Sequence, residues 1–207
     1  MTRTAKIIIW IVIILAIIWV GLNWGKGEKS PISGEPIKIG VIIPMSGEVA
    51  SMGESIKNAI NLGEYENIQF IFEDDPCDAK KAISAYQKLK LENVKVFYVA
   101  CSGSVIALAP LAKEGGDLIL TTYAGSSEIR KTGTEVIRLI PDALSIGEIM
   151  FAYVSNLPDK KIGLLYEEQD YAKSLALLLQ SKLGERIIVS ERYVADDPVY
   201  RTQVTKL

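Results

Sequence analysis

The sequence predicts an α/β protein, a doubly wound parallel sheet preceded by one N-terminal transmembrane helix, and three observations carry that reading. Short runs rich in Ile and Val alternate with stretches whose apolar residues recur every three or four positions. Those runs are apolar almost throughout, as strands covered on both faces are, rather than alternating apolar with polar. Residues 7–22, IIIWIVIILAIIWVGL, hold no charge, and with Asn23 and Trp24 they approach the ~17–25 residues that cross a bilayer.

Taken in order, residues 1–24 are expected to form an uncleaved signal anchor, with Trp10, Trp19 and Trp24 as interfacial rings. A secretory leader has a shorter apolar core, ~7–15 residues, and ends at a small-residue cleavage site, for which Gly25-Lys26-Gly27 is a poor match. No cysteine follows the run to carry a lipid. Residues 25–35, GKGEKSPISGE, read as a flexible linker. From Pro36 onward the expected strands are 37–43, 68–72, 94–99, 117–121, 161–166 and 186–193. Between them, helical spacing connects Met52, Ile56, Ala59 and Ile60; Ala82, Tyr86 and Leu89; Ile146, Ile149, Met150 and Tyr153; and Leu175, Leu178 and Leu179. Strand and helix repeating in this way is the pattern of a parallel sheet with helices on its faces.

Composition excludes several functions. The 207 residues carry 23 Lys+Arg against 25 Asp+Glu and no histidine. Near-balanced charge without a basic stripe argues against nucleic acid. Without histidine, Ser-His and Cys-His nucleophiles are impossible and most zinc sites lose their ligands. Gly40, Gly47 and Gly53 do not make a G-x-G-x-x-G fingerprint, and a Walker A loop is missing. The chain is therefore not expected to be an enzyme, nor to need a cofactor or metal.

Ligands of parallel sheets gather at the carboxyl ends of strands. The loops there span 44–53, 73–78, 100–104, 122–128 and 167–171. Cys77 and Cys101 lie just past two strand ends and are expected to pair if those strands sit close in an oxidising compartment, two buried thiols being the alternative. Ser102 and Ser104 open a helix, either as plain capping residues or with the helix amides as donors to a carboxylate or another anion. Pro110 falls inside that helix, where a bend is expected. The carboxylates Glu73, Asp74 and Asp75, and Glu167, Glu168 and Asp170, are expected to be solvated loop charge rather than a cation site.

Six stretches together resemble the type 1 periplasmic solute-binding proteins of the leucine/isoleucine/valine-binding group: 37–59, 73–89, 101–114, 124–129, 162–176 and 201–207. The resemblance implies two α/β lobes, a first over 36–142 and the start of an incomplete second over 143–207, with an amino acid held in the cleft between them. It implies that Ser102 and its loop amides take the ligand's α-carboxylate, and that Tyr123, Ala124 and Gly125 form a second ligand loop. Tyr171 matches an aromatic residue that closes from the second lobe, and Met52 stands where the pocket usually has an aromatic wall. The two cysteines match a disulfide found in some members. Gly125 departs from the family's usual Thr or Ser, which removes a hydroxyl unless Ser126 replaces it. The implied role is an extracytoplasmic binding protein for a small, branched-chain type amino acid, anchored in the cell membrane through residues 7–24 and serving the permease of an ABC importer. The ectodomain of a sensor is the alternative.

Overall fold

The computed structural model describes residues 34–157, 160–194 and 201–206, with Ala5, Trp10, Ile14 and Trp19 as isolated positions. The chain divides into two units, Met1–Glu35 and Pro36–Leu207. In the first unit the four isolated positions are helical. The rest of the expected anchor, and the linker up to residue 33, lie outside the described residues. Among the described residues no helix is long and apolar enough to cross a membrane.

The second unit begins with a five-stranded parallel sheet in the order β2-β1-β3-β4-β5. Its strands are β1 (Ile37–Ile43), β2 (Ile68–Asp74), β3 (Val96–Val99), β4 (Leu118–Thr121) and β5 (Val136–Arg138). The intervening helices are α1 (Ala50–Asn61), α2 (Ala79–Leu91) and α3 (Ser102–Gly115). The chain moves one way from β1 to β2 and the other way from β2 to β5, so crossovers of one hand place α1 on one face and α2 and α3 on the other. Two cores result. Ile42, Leu89, Phe97, Val105, Leu108 and Ile119 pack under α2 and α3, while Val41, Ile43, Ile56 and Ala100 pack under α1.

Local chemistry explains the starts and limits of these elements. Asp78 caps α2 by accepting the Lys80 and Lys81 N–H groups at 2.9 Å each, a bond that satisfies amides with no partner inside the helix. Pro110 lies within α3, which continues to Gly115 and ends at Gly116 in the left-handed region. Gly53 is forced by packing, since a Cβ there would lie 1.8 Å from the Pro44 carbonyl oxygen.

A second parallel sheet pairs β6 (Ile162–Glu167) with β7 (Ile187–Tyr193), and α4 (Ala143–Ser155) packs on α5 (Asp170–Leu183) beside it. The short helix α6 (Arg201–Lys206) follows. The join between the sheets is built around Asp142, which is buried and caps α4 by accepting the Ser145 N–H at 3.0 Å and its Oγ–H at 2.9 Å. The same carboxylate accepts from Arg130 Nε and, at 3.2 Å, from Arg138 Nη2. Arg138 Nη1 in turn donates to the Ser126 carbonyl at 3.0 Å. One buried anion thus ties the loop after β4 to the helix that begins the second sheet.

Candidate functional site

The sheet order reverses at β1 and β3, so the switch point lies where the loops 44–49 and 100–102 leave the sheet, the place where ligands of such folds bind. The segment 44–46 is held by Asp74, which accepts from Met45 N at 2.7 Å, Ser46 N at 3.0 Å and Ser46 Oγ at 2.5 Å. Asp75 is fully buried and accepts the Asp78 N–H at 2.8 Å and the Ser104 hydroxyl. Burial pushes the Asp75 carboxyl above its usual range, against the pull of the Ser104 bond. Glu73 pairs with Lys88 at 2.7 Å. These three carboxylates are therefore structural, which corrects the expectation of solvated loop charge. Glu168, paired with Arg192 at 2.6 Å, stays near the surface. Among the described residues no acidic cluster is arranged to hold a metal ion.

Cys77 and Cys101 are bonded, with Cα atoms 5.3 Å apart. The strands they follow are not neighbours, because β1 lies between β2 and β3. The bridge passes the end of β1, where Asp75 N donates to Ile43 O and Ala100 N donates to Ile42 O. Cys101 sits at the N-cap of α3, fixing where Ser102 stands.

Ser102 is nearly buried, and its Oγ accepts the Ser126 N–H at 3.1 Å. The oxygen is thus already engaged as an acceptor, and its own O–H is the group left to donate. This bond joins the α3 loop to the loop after β4. Thr121 shapes that second loop, its Oγ1 accepting from Ala124 N at 3.0 Å and Tyr123 N at 3.4 Å. Ser126, which would have to replace the hydroxyl missing at Gly125, is buried, and its Oγ caps the following 3-10 turn, Ser127–Lys131, by accepting from Glu128 N.

The second sheet closes directly on these loops. The Tyr171 ring lies on Gly125 and the Asp170 carboxylate lies on Gly103, as the space a Cβ would need at each glycine shows. A groove of about 520 Å³ opens beside this contact, lined by Ser127, Glu128, Asp170, Lys173 and Ser174 among others. Ser102, Ala124, Gly125 and Tyr171 are therefore brought together. Tyr123 and Met52 are placed otherwise: half-exposed Tyr123 lines a groove of about 340 Å³ with Ile39, Tyr98 and Leu120 on the α1 face, and Met52 packs against the core under α1 that includes Cys101. Gly103 and Asp170 were not singled out as site residues from the sequence.

The chain belongs to the periplasmic binding protein family, whose model matches residues 36–185. Among curated relatives, the Leu/Ile/Val-binding protein homolog 3 of Brucella melitensis is 26% identical, over 83% of this chain and 51% of its own length. The Leu/Ile/Val-binding protein of Escherichia coli K12 is 24% identical, over 84% of this chain and 52% of its own. The chain thus spans about half the length of these relatives. Among solved structures, a solute binding protein of an ABC transporter from Rhodopseudomonas palustris, in complex with 3,4-dihydroxybenzoic acid, superposes with a TM-score of 0.76 at 21% identity, over 84% of this chain and 51% of its own. A branched-chain amino acid transporter substrate binding protein from Streptococcus pneumoniae, in complex with isoleucine, gives a TM-score of 0.70 at 23% identity, over 84% of this chain and 54% of its own.

Proposed function

We propose that the chain is an extracytoplasmic solute-binding protein that takes a small amino acid of the branched-chain type between its two sheets and serves an ABC importer. The observation that carries this reading is the meeting of the Ser102 loop, the 123–125 loop and Tyr171 around one place in the fold. There the Ser102 O–H and the first amides of α3 are donors suited to a carboxylate. Relatives named as Leu/Ile/Val-binding proteins support the choice of ligand. A disulfide suits an oxidising compartment outside the cytoplasm. In this reading residues 7–24 anchor the protein in the cell membrane, residues 25–35 are the tether, and 36–142 and 143–207 contribute the two lobes.

Isothermal calorimetry of the chain with leucine, isoleucine and valine tests the proposal. At least one should bind, and Ser102→Ala should weaken it about tenfold or more, the ~1.5–3 kcal/mol of one hydrogen bond to a charged group. Binding of equal strength in Ser102→Ala would remove the serine from the site.

A further inference from the structure

Two glycines beside the first sheet, Gly103 in the first turn of α3 and Gly125 in the loop after β4, lie where the leading end of α5 touches them. A Cβ on Gly103 would lie 2.7 Å from Asp170 Oδ2, and a Cβ on Gly125 would lie 2.6 and 2.8 Å from Tyr171 ring carbons. Neither glycine is at positive φ, so backbone conformation does not call for glycine at either position. Space does. Two consecutive residues of α5 occupy what side chains at these two positions would otherwise fill. Further along the same helix, Ser174 Oγ accepts the Ser127 N–H at 3.4 Å, so the contact continues beyond its first turn.

We propose that Asp170 is an internal competitor for the ligand's carboxylate. It sets its own carboxylate over Gly103, the residue that follows Ser102 in α3, while Tyr171 lies on Gly125, so that the cleft closes on the chain's own side chains until a ligand moves them. The inference rests on the reading of Ser102 as a carboxylate donor, and it names the residue a ligand must displace. It also narrows the ligand class. A like charge already stands at this place, so a carboxylate that enters must drive Asp170 out, and a neutral acceptor gains less from Ser102 toward doing so than a carboxylate does. Gly103 and Gly125 are then the residues that permit closure, and Asp170 tunes affinity.

The test has a ligand-free arm and a ligand arm. Spin labels at Lys80→Cys and Ile188→Cys, on exposed positions of α2 and β7, report the separation of the two sheets by double electron–electron resonance. In the ligand-free chain, Gly103→Ala should lengthen that separation, because the methyl takes the place of the carboxylate. Alanine favours the helix more than glycine does, so folding is not at risk, and circular dichroism checks it. An unchanged separation would overturn the proposal. In the ligand arm, calorimetry with L-isoleucine should show Asp170→Asn binding about fivefold tighter or more, the least that relief of a like-charge contact at ~4 Å gives in water. Equal or weaker binding by Asp170→Asn would likewise overturn it. Absence of heat from both proteins would instead count against the proposed function, and the label separation would still decide whether Asp170 holds the cleft closed.

Discussion

Replacing Asp142 with Asn should destabilise the chain by about 2–3 kcal/mol at pH 7. Breaking a buried ion pair costs ~3–5 kcal/mol, but the Arg130 side chain is 55% exposed and its share falls toward the ~0–1 kcal/mol of a surface pair. Arg138 is only 16% exposed and would lose its charged partner. Asn keeps an oxygen for the Ser145 N–H, whereas Asp142→Ala loses that cap as well and should cost about 1 kcal/mol more. The sign with pH follows from the carboxyl's lowered pKa, caused first by the Arg130 hydrogen bond and helped by Ser145 against the opposing effect of burial. A carboxyl held lower in the folded state contributes fully above its unfolded value of ~3.9, and that contribution is lost as pH falls toward the folded value. Urea midpoints should therefore separate wild type from Asp142→Asn equally at pH 7 and pH 5. Below about pH 4 the gap should narrow by up to ~1.4 kcal/mol per unit. A variant within about 0.5 kcal/mol of wild type at pH 7, or a gap unchanged at pH 3, would refute the reasoning.

Asp75 should behave in the opposite way. Its folded pKa is raised by burial, so ionisation costs stability above that value and the cost is relieved as pH falls; Asp75→Asn should match or exceed wild type at pH 8, and a loss above ~2 kcal/mol there would contradict this. Replacing both Cys77 and Cys101 with Ser opens a bridge of sequence separation 24, and the chain-entropy relation gives a loss of about 3–4 kcal/mol in urea unfolding; a midpoint unchanged from that of the oxidised wild type would show the bridge to be absent or idle. Gly53→Ala puts a methyl against the Pro44 carbonyl, and the backbone shift it forces should lower stability by ~1–3 kcal/mol, read as a drop in Tm; an unaltered Tm would mean that α1 sits further from that carbonyl.

Most of the first sheet was legible because its strands are buried on both faces and its helices keep a three-and-four spacing. The strand expected over 94–99 begins two residues later, at Val96. Asn93 turns at positive φ and Val94 is buried in the bend after α2 rather than in the sheet. β5 escaped notice because Val136–Arg138 is too short to carry a pattern. The cysteine pair was legible from its place past two strand ends, but not the fact that β1 runs between those strands. Burial of Asp75 was hidden for a similar reason, since its partner Ser104 is distant in sequence and only the fold joins them. The contacts of Gly103 and Gly125 with Asp170 and Tyr171 arise where two sheets meet, and no local spacing encodes them. The family resemblance pointed to Gly125 as a lost hydroxyl, and the structure supplies the physical reason, a tyrosine ring in the space a side chain would need.

The central claim is that a small amino acid binds where the Ser102 and 123–125 loops face Tyr171. Titration of the ¹⁵N-labelled chain with L-isoleucine tests it most directly, with amide shifts followed residue by residue. The account requires the largest shifts at Ser102, Gly103, Ala124, Gly125 and Tyr171. Shifts concentrated instead around Tyr65, Phe70 and Tyr98, on the α1 face, would contradict it.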